Sequence, residues 1–141
     1  MGRVMTKLKI TNNTDLTNAR LGQIQNEVRS VEIDALVDTG ATTLALPAEV
    51  VRQLGVPFEG TRKARDALGK IIELYWVAGL RIEILGREMT CDALVLDEGA
   101  TPLIGQIPLE ALDLVVDAKS REARVNPESP DFPLLDLMAV A

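Results

Sequence analysis

The chain has 141 residues, of which 47% are hydrophobic and 26% charged, with a formal net charge of -6 at pH 7. These values fit one globular domain and exclude wholesale disorder. Aromatic residues are only 3%, so the core is expected to be aliphatic, and the acidic balance argues against nucleic acid or an anionic membrane surface as partner.

There is one cysteine, Cys91, and no histidine. An intramolecular disulfide is impossible, and Ser-His and Cys-His nucleophilic schemes are removed. The usual nitrogen and sulfur ligand sets of zinc are also missing. Carboxylates and lysines remain as hydrolytic groups, together with a carboxylate-held metal. Acidic pairs such as Asp97-Glu98 read as solvated loops, so no metal is expected. Cys91 reads as a small buried hydrophobe. No run approaches the roughly 18 apolar residues of a membrane span, and no apolar signal core follows Arg3. A cytoplasmic setting is therefore expected. Gly2 to Thr6 fits a loose myristoylation pattern, but it reads better as the approach to a strand.

Val4 to Thr11 is predicted as the first strand, and Asn12 to Gln25 as a loop or long hairpin connection. From Val28 the pattern has period two, with Val31, Ile33, Ala35 and Val37 on one face, and it runs directly into Asp38-Thr39-Gly40. Pro47 to Leu54 reads as a short helix with proline at its first position and Gly55 at its exit. Arg62 to Asp66 is charged, and Ala67 to Lys70 reads as a turn. Ile71 to Ile84 and Glu88 to Leu96 read as strands joined by a hairpin at Leu85-Gly86-Arg87. Of the adjacent Tyr75 and Trp76, which point to opposite faces, one is expected in the core and the other on a groove. Leu103-Ile104-Gly105 is a short apolar segment, Leu109 to Leu112 a helical turn, and Leu114 to Asp117 and Glu122 to Val125 two short strands. Pro127, Pro130 and Pro133 mark an extended tail, whose apolar Leu134 to Val140 is expected to pack at a subunit interface or a sheet edge.

Ala35-Leu36-Val37-Asp38-Thr39-Gly40-Ala41 carries the chemistry. It delivers a carboxylate at the end of an apolar strand, and Gly40 lets backbone N–H groups approach that carboxylate closely. The segment resembles the active-site loop of the retropepsin-like aspartic peptidases. Leu103-Ile104-Gly105 is similar to the apolar element that packs under that loop. The glycine turn at Leu68-Gly69 sits where the family has its flap. Leu46-Pro47 and the helix after it resemble the small bacterial and archaeal single-domain members. The resemblance spans about Val28 to Asp117. The chain departs from the family at Gln106-Ile107-Pro108, in its longer Asn12 to Gln25 segment, and in its tail.

The resemblance implies a mainly β fold: a retropepsin-like closed β-barrel or sandwich with one or two short helices, paired about a two-fold axis. Residues 1–126 would form the peptidase domain; the Pro-containing tail, 127–141, has no counterpart in the resemblance, and its apolar strip alone suggests a place at the dimer interface or a sheet edge. The resemblance also implies an endopeptidase acting on extended peptides or unfolded protein, with no cofactor. By this resemblance Asp38 would be the catalytic residue. Thr39, Gly40 and Ala41 form its loop, Leu68 and Gly69 the flap, and Leu103, Ile104 and Gly105 the support. The reaction needs two carboxylates, one as base and one as acid. Only one suitable loop is present, because Asp97-Glu98-Gly99 has the wrong middle residue. The second Asp38 would come from another copy. Two other readings stay open. One is a non-catalytic dimerisation module that keeps the fold, and the other is an interaction domain that recruits partners through its tail.

Overall fold

A computed structural model of the chain describes residues 3–23 and 27–137. Its elements are β1 (Met5–Asn12), α1 (Asn13–Arg20), β2 (Ser30–Val37), β3 (Leu44–Pro47), α2 (Ala48–Leu54), β4 (Phe58–Arg65), β5 (Ile71–Ile84), β6 (Arg87–Leu96), β7 (Leu103–Ile104), α3 (Gln106–Ala111), β8 (Leu114–Asp117) and β9 (Glu122–Val125). The protein is mainly β, as the alternating segments require. Seven strands run β1-β2-β7-β3-β6-β5-β4, and β1 also pairs with β5. That extra pairing, Lys9 to Asn12 against Leu80 to Glu83, closes six strands into a barrel and leaves β4 outside the circuit.

Alternate residues of the barrel strands fill its interior. Leu8 and Ile10 come from β1, Leu44 and Leu46 from β3, Ile82 and Ile84 from β5, and Ile104 from β7, all fully or almost fully buried. Val51 and Leu54 of α2 and Leu112 after α3 complete the cluster. The core is aliphatic, as composition required. Tyr75 and Trp76 correct the expectation that one of them is core, because neither belongs to the cluster. Tyr75 stacks on Phe58 at the surface, and Trp76 lies half-buried on the opposite face.

Several boundaries differ from expectation for identifiable reasons. The Asn12 to Gln25 segment contains a helix, α1, rather than only loop. The Asn12 side chain caps it by accepting from the Asp15 N–H at 3.0 Å, and Arg20 closes its last turn. No residue of α1 is buried, so it lacked the apolar periodicity by which a helix is read. Pro47 is not the first helical residue. It ends β3 with extended backbone (φ -65°, ψ 151°) and caps α2. β3 is four residues long and buried on both faces, which erases alternation. β4 holds most of the charged run, and its largely exposed residues leave no apolar alternation to mark a strand. The second strand of the motif begins at Ser30 rather than Val28. The late helical turn begins at Gln106 rather than Leu109. No described helix is long and apolar enough to cross a membrane.

Two side chains fasten the start of the tail. Arg87 is buried, and its guanidinium donates to the carbonyls of Leu112 (2.9 Å), Asp113 (3.0 Å) and Ser129. Asp113 sits in the left-handed region, at φ 53°. Its carboxylate accepts from the Ser129 hydroxyl, from the Leu134 N–H at 2.9 Å and from Asn126 Nδ2 at 3.1 Å. Beyond that clamp Phe132, Leu134, Leu135 and Leu137 are all exposed. Gly2 of the myristoylation pattern and the strip's last residues, 138–140, lie outside the described residues.

The Ser129 hydroxyl first, then the Leu134 N–H and the Asn126 amide, hold the Asp113 carboxyl below its ordinary value of 3.8. A lowered folded-state pKa adds stability that is complete above the ordinary value and is lost as pH falls through the folded one. Asp113→Asn is therefore expected to lower Tm at neutral pH, and the gap from wild type is expected to close on acidification to about pH 2. Thermal melts of both proteins across that range check this. A gap independent of pH would assign the effect to shape rather than charge.

Candidate active site

The turn after β2 is built from backbone contacts. β7 lies parallel to β2, with Leu36 opposite Leu103 and Val37 opposite Ile104, and antiparallel to β3, with Ala45 opposite Leu103. The chain therefore leaves the barrel at Val37, loops through Asp38 to Thr43, and returns one strand away, with β7 filling the gap. The Asp38 N–H donates to the Ile104 carbonyl at 2.9 Å, and the Ala41 N–H donates to the Asp38 carbonyl at 3.1 Å. On the far side the Gln106 and Ile107 N–H groups donate to the carbonyls of Ala41 and Thr42, both at 2.9 Å.

Gly105 is the tightest point. A Cβ built there would stand 2.5 Å from the Thr43 carbonyl oxygen and 2.7 Å from both the Ala41 oxygen and the Thr43 nitrogen. Its backbone is ordinary (φ -93°, ψ -169°). Glycine is needed here for the close approach, not for a special torsion. The expected supporting segment, Leu103-Ile104-Gly105, is thus in direct contact with the Asp38 loop.

Asp38 is half-buried, while Thr39 and Gly40 are exposed and Ala41 is half-buried. Asp38 Oδ1 accepts the Gly40 N–H at 2.9 Å. A Cβ on Gly40 would lie 3.3 Å from the same oxygen, so the absent side chain permits that contact. The Thr39 hydroxyl makes no hydrogen bond among the described residues.

Leu68 and Gly69 lie at the tip of the β4–β5 hairpin. Leu68 is 93% exposed, and Gly69 has φ 81°. Asp66 was not singled out from sequence, yet its Oδ1 accepts both the Leu68 and Lys70 N–H groups at 2.9 Å and shapes this turn. The signal was an Asp opening a turn three residues before glycine. Among the described residues no hydrogen bond joins this tip to the Asp38 loop. Two hollows, of about 340 and 420 Å³, border α1, and neither is lined by Asp38. Cys91 is only half-buried by its surface but packs against the core, and burial first, then the neighbouring Asp92, pushes its thiol up to about 12. A thiol so placed stays protonated and is a poor nucleophile.

The family model described as gag-polyprotein putative aspartyl protease matches residues 22–111. That span takes in the Asp38 loop, the hairpin and the Gly105 support, and it ends with α3. No curated protein matches the chain.

Because Gly105 meets backbone rather than a movable side chain, Gly105→Ala is expected to cost about 1–3 kcal/mol of stability or more. Denaturant unfolding beside the wild type measures the loss. An unchanged midpoint would mean that the loop does not press on this residue.

Proposed function

The chain belongs to the retropepsin-like, gag-polyprotein type of aspartyl protease family, and from that premise we propose that it is an aspartic endopeptidase acting as a homodimer on extended peptides. The observation that carries this reading is the Asp38 loop. It holds a reachable carboxylate at a barrel strand's exit, fastened on both sides by backbone hydrogen bonds. In the proposed reaction one Asp38, ionised, takes a proton from a water that attacks the scissile carbonyl. The other Asp38, protonated and from the second subunit, donates to the carbonyl oxygen. Gly40 holds the carboxylate's orientation through its N–H, and Gly105 keeps the loop seated on β7.

Three features favour a second copy. The chain has one Asp-Thr-Gly loop. Neither of the two hollows beside α1 is lined by Asp38. Apolar side chains stay exposed beside it: Ile107, whose N–H holds the Thr42 carbonyl, and Met5, next to the Val4 carbonyl that accepts the Val37 N–H. In this reading the interface covers these residues and the apolar strip of the tail.

Asp38→Asn should fold and pair normally yet lose peptidase activity. Because each subunit supplies half a site, mutant protein should also poison wild type. At equal mixing with free exchange, about one quarter of dimers would keep two carboxylates. Peptide hydrolysis is followed at fixed wild-type amount while mutant is titrated in. Constant activity per wild-type chain would show that one subunit holds a complete site.

A further inference from the structure

The strand registers draw a line across the sheet. Leu36 lies opposite Leu103, Leu103 opposite Ala45, Ala45 opposite Leu94, and Leu94 opposite Trp76. Paired residues share a face, and none of these five belongs to the core cluster. The barrel therefore carries a second apolar row on its other face. The row starts two residues before Asp38 and runs onto the β4–β5 hairpin, where Leu74 and Ile72 continue it by alternation. Leu36, Leu103, Leu94 and Trp76 are each only half-buried.

At the hairpin end this face carries one cation. Arg62 pairs with Leu74. Its guanidinium carbon lies 3.6 Å from the centre of the Trp76 ring. Asp92 is its nearest acid, at 3.5 Å, and both side chains are nearly half exposed. Among the described residues Arg62 makes no hydrogen bond, and its ion pair with Asp92 is a long one, so the guanidinium over the indole keeps donors for a closer acceptor. The local charge has the same sign. Thr61 to Lys70 contains Arg62, Lys63, Arg65 and Lys70. Its one acid, Asp66, is turned to the hairpin's own N–H groups. A chain of net charge -6 thus carries a local excess of cations on β4 and its turn, with Glu73 of β5 opposite Lys63.

We propose that Arg62 is a specificity determinant, and that the peptides this protein takes carry an acidic side chain beside large apolar ones. The apolar side chains lie along the Leu36–Trp76 row. The acidic one displaces Asp92 and accepts from the Arg62 guanidinium. The repulsion of the acidic body is screened beyond roughly 8–10 Å, whereas a contact ion pair is not. The inference rests on the peptidase reading for its ligand class, but it concerns binding and is tested without turnover.

The full-length Asp38→Asn protein is titrated with fluorescently labelled, Leu-rich peptides that carry a single Asp, Asn or Lys walked along their length. Label anisotropy reports binding. Trp76 is the chain's one tryptophan, so its emission reports whether the peptide reaches this face. The Asp peptide should bind at least about fivefold more tightly than the Asn peptide at one position, and the Lys peptide most weakly. Arg62→Gln should level that order, and Arg62→Glu should invert it. Absence of the order, its survival in Arg62→Gln, or no binding of any peptide would overturn the proposal. Wild-type cleavage of the same peptides separates the two readings. Binding in the stated order without hydrolysis would sink the endopeptidase reading alone. Hydrolysis without the order would sink this one alone.

Discussion

The geometry near Asp38 depends on how closely two stretches of backbone approach at Gly105. Backbone there lies nearer than any side chain would allow. That approach lets β7 sit between β2 and β3, brings the first N–H groups of α3 against the loop carbonyls, and leaves Asp38 tied to Ile104. A backbone-to-backbone contact cannot relax by a rotamer change. Precision in the loop therefore comes from main chain, and the side chains at Gln106 and Ile107 are left free to vary. Their departure from the family pattern leaves the hydrogen bonds intact, because the donors are peptide groups.

The barrel and the hairpin divide labour between rigid and adjustable parts. The barrel is closed by β1 against β5 and filled with aliphatic side chains, whereas the hairpin pairs only with itself beyond Trp76. At its base both strands are irregular. A register shift lies between Phe58 and Gly60 and another between Val77 and Leu80, with Gly60 and Gly79 at positive φ. Bulges on both strands at one level reorient the arm relative to the barrel.

Much of this was legible from residues alone. The Asp38 strand was readable because it is covered on one face only, so period two survives from Val31 to Val37. Gly105 was recognisable through its apolar neighbours, although the reason for glycine needed three dimensions. β3 was illegible because it is buried on both sides, and β4 because its largely exposed residues leave no apolar alternation. α1 escaped because it packs no buried residue, although its cap, Asn12, was in plain view. Asp66 and Arg62 were hidden inside a run read only as charge. Their roles depend on a turn and on a cross-strand neighbour that composition does not reveal. The clamp of Arg87 and Asp113 on the tail joins positions far apart in sequence, so no local pattern announces it.

Closing the barrel also settles where the protein is open to unwanted self-pairing. Among the described strands of the large sheet, β4 alone has a neighbour on one side only. An unpaired edge is a template for another chain's strand, and so for aggregation. Here that edge carries Arg62, Lys63 and Arg65, and it is bent by the bulge near Gly60. Like charges would be stacked against one another if two such edges met, and the bend denies them a straight ladder. The cations of β4 therefore also keep concentrated protein from growing into fibres through this strand.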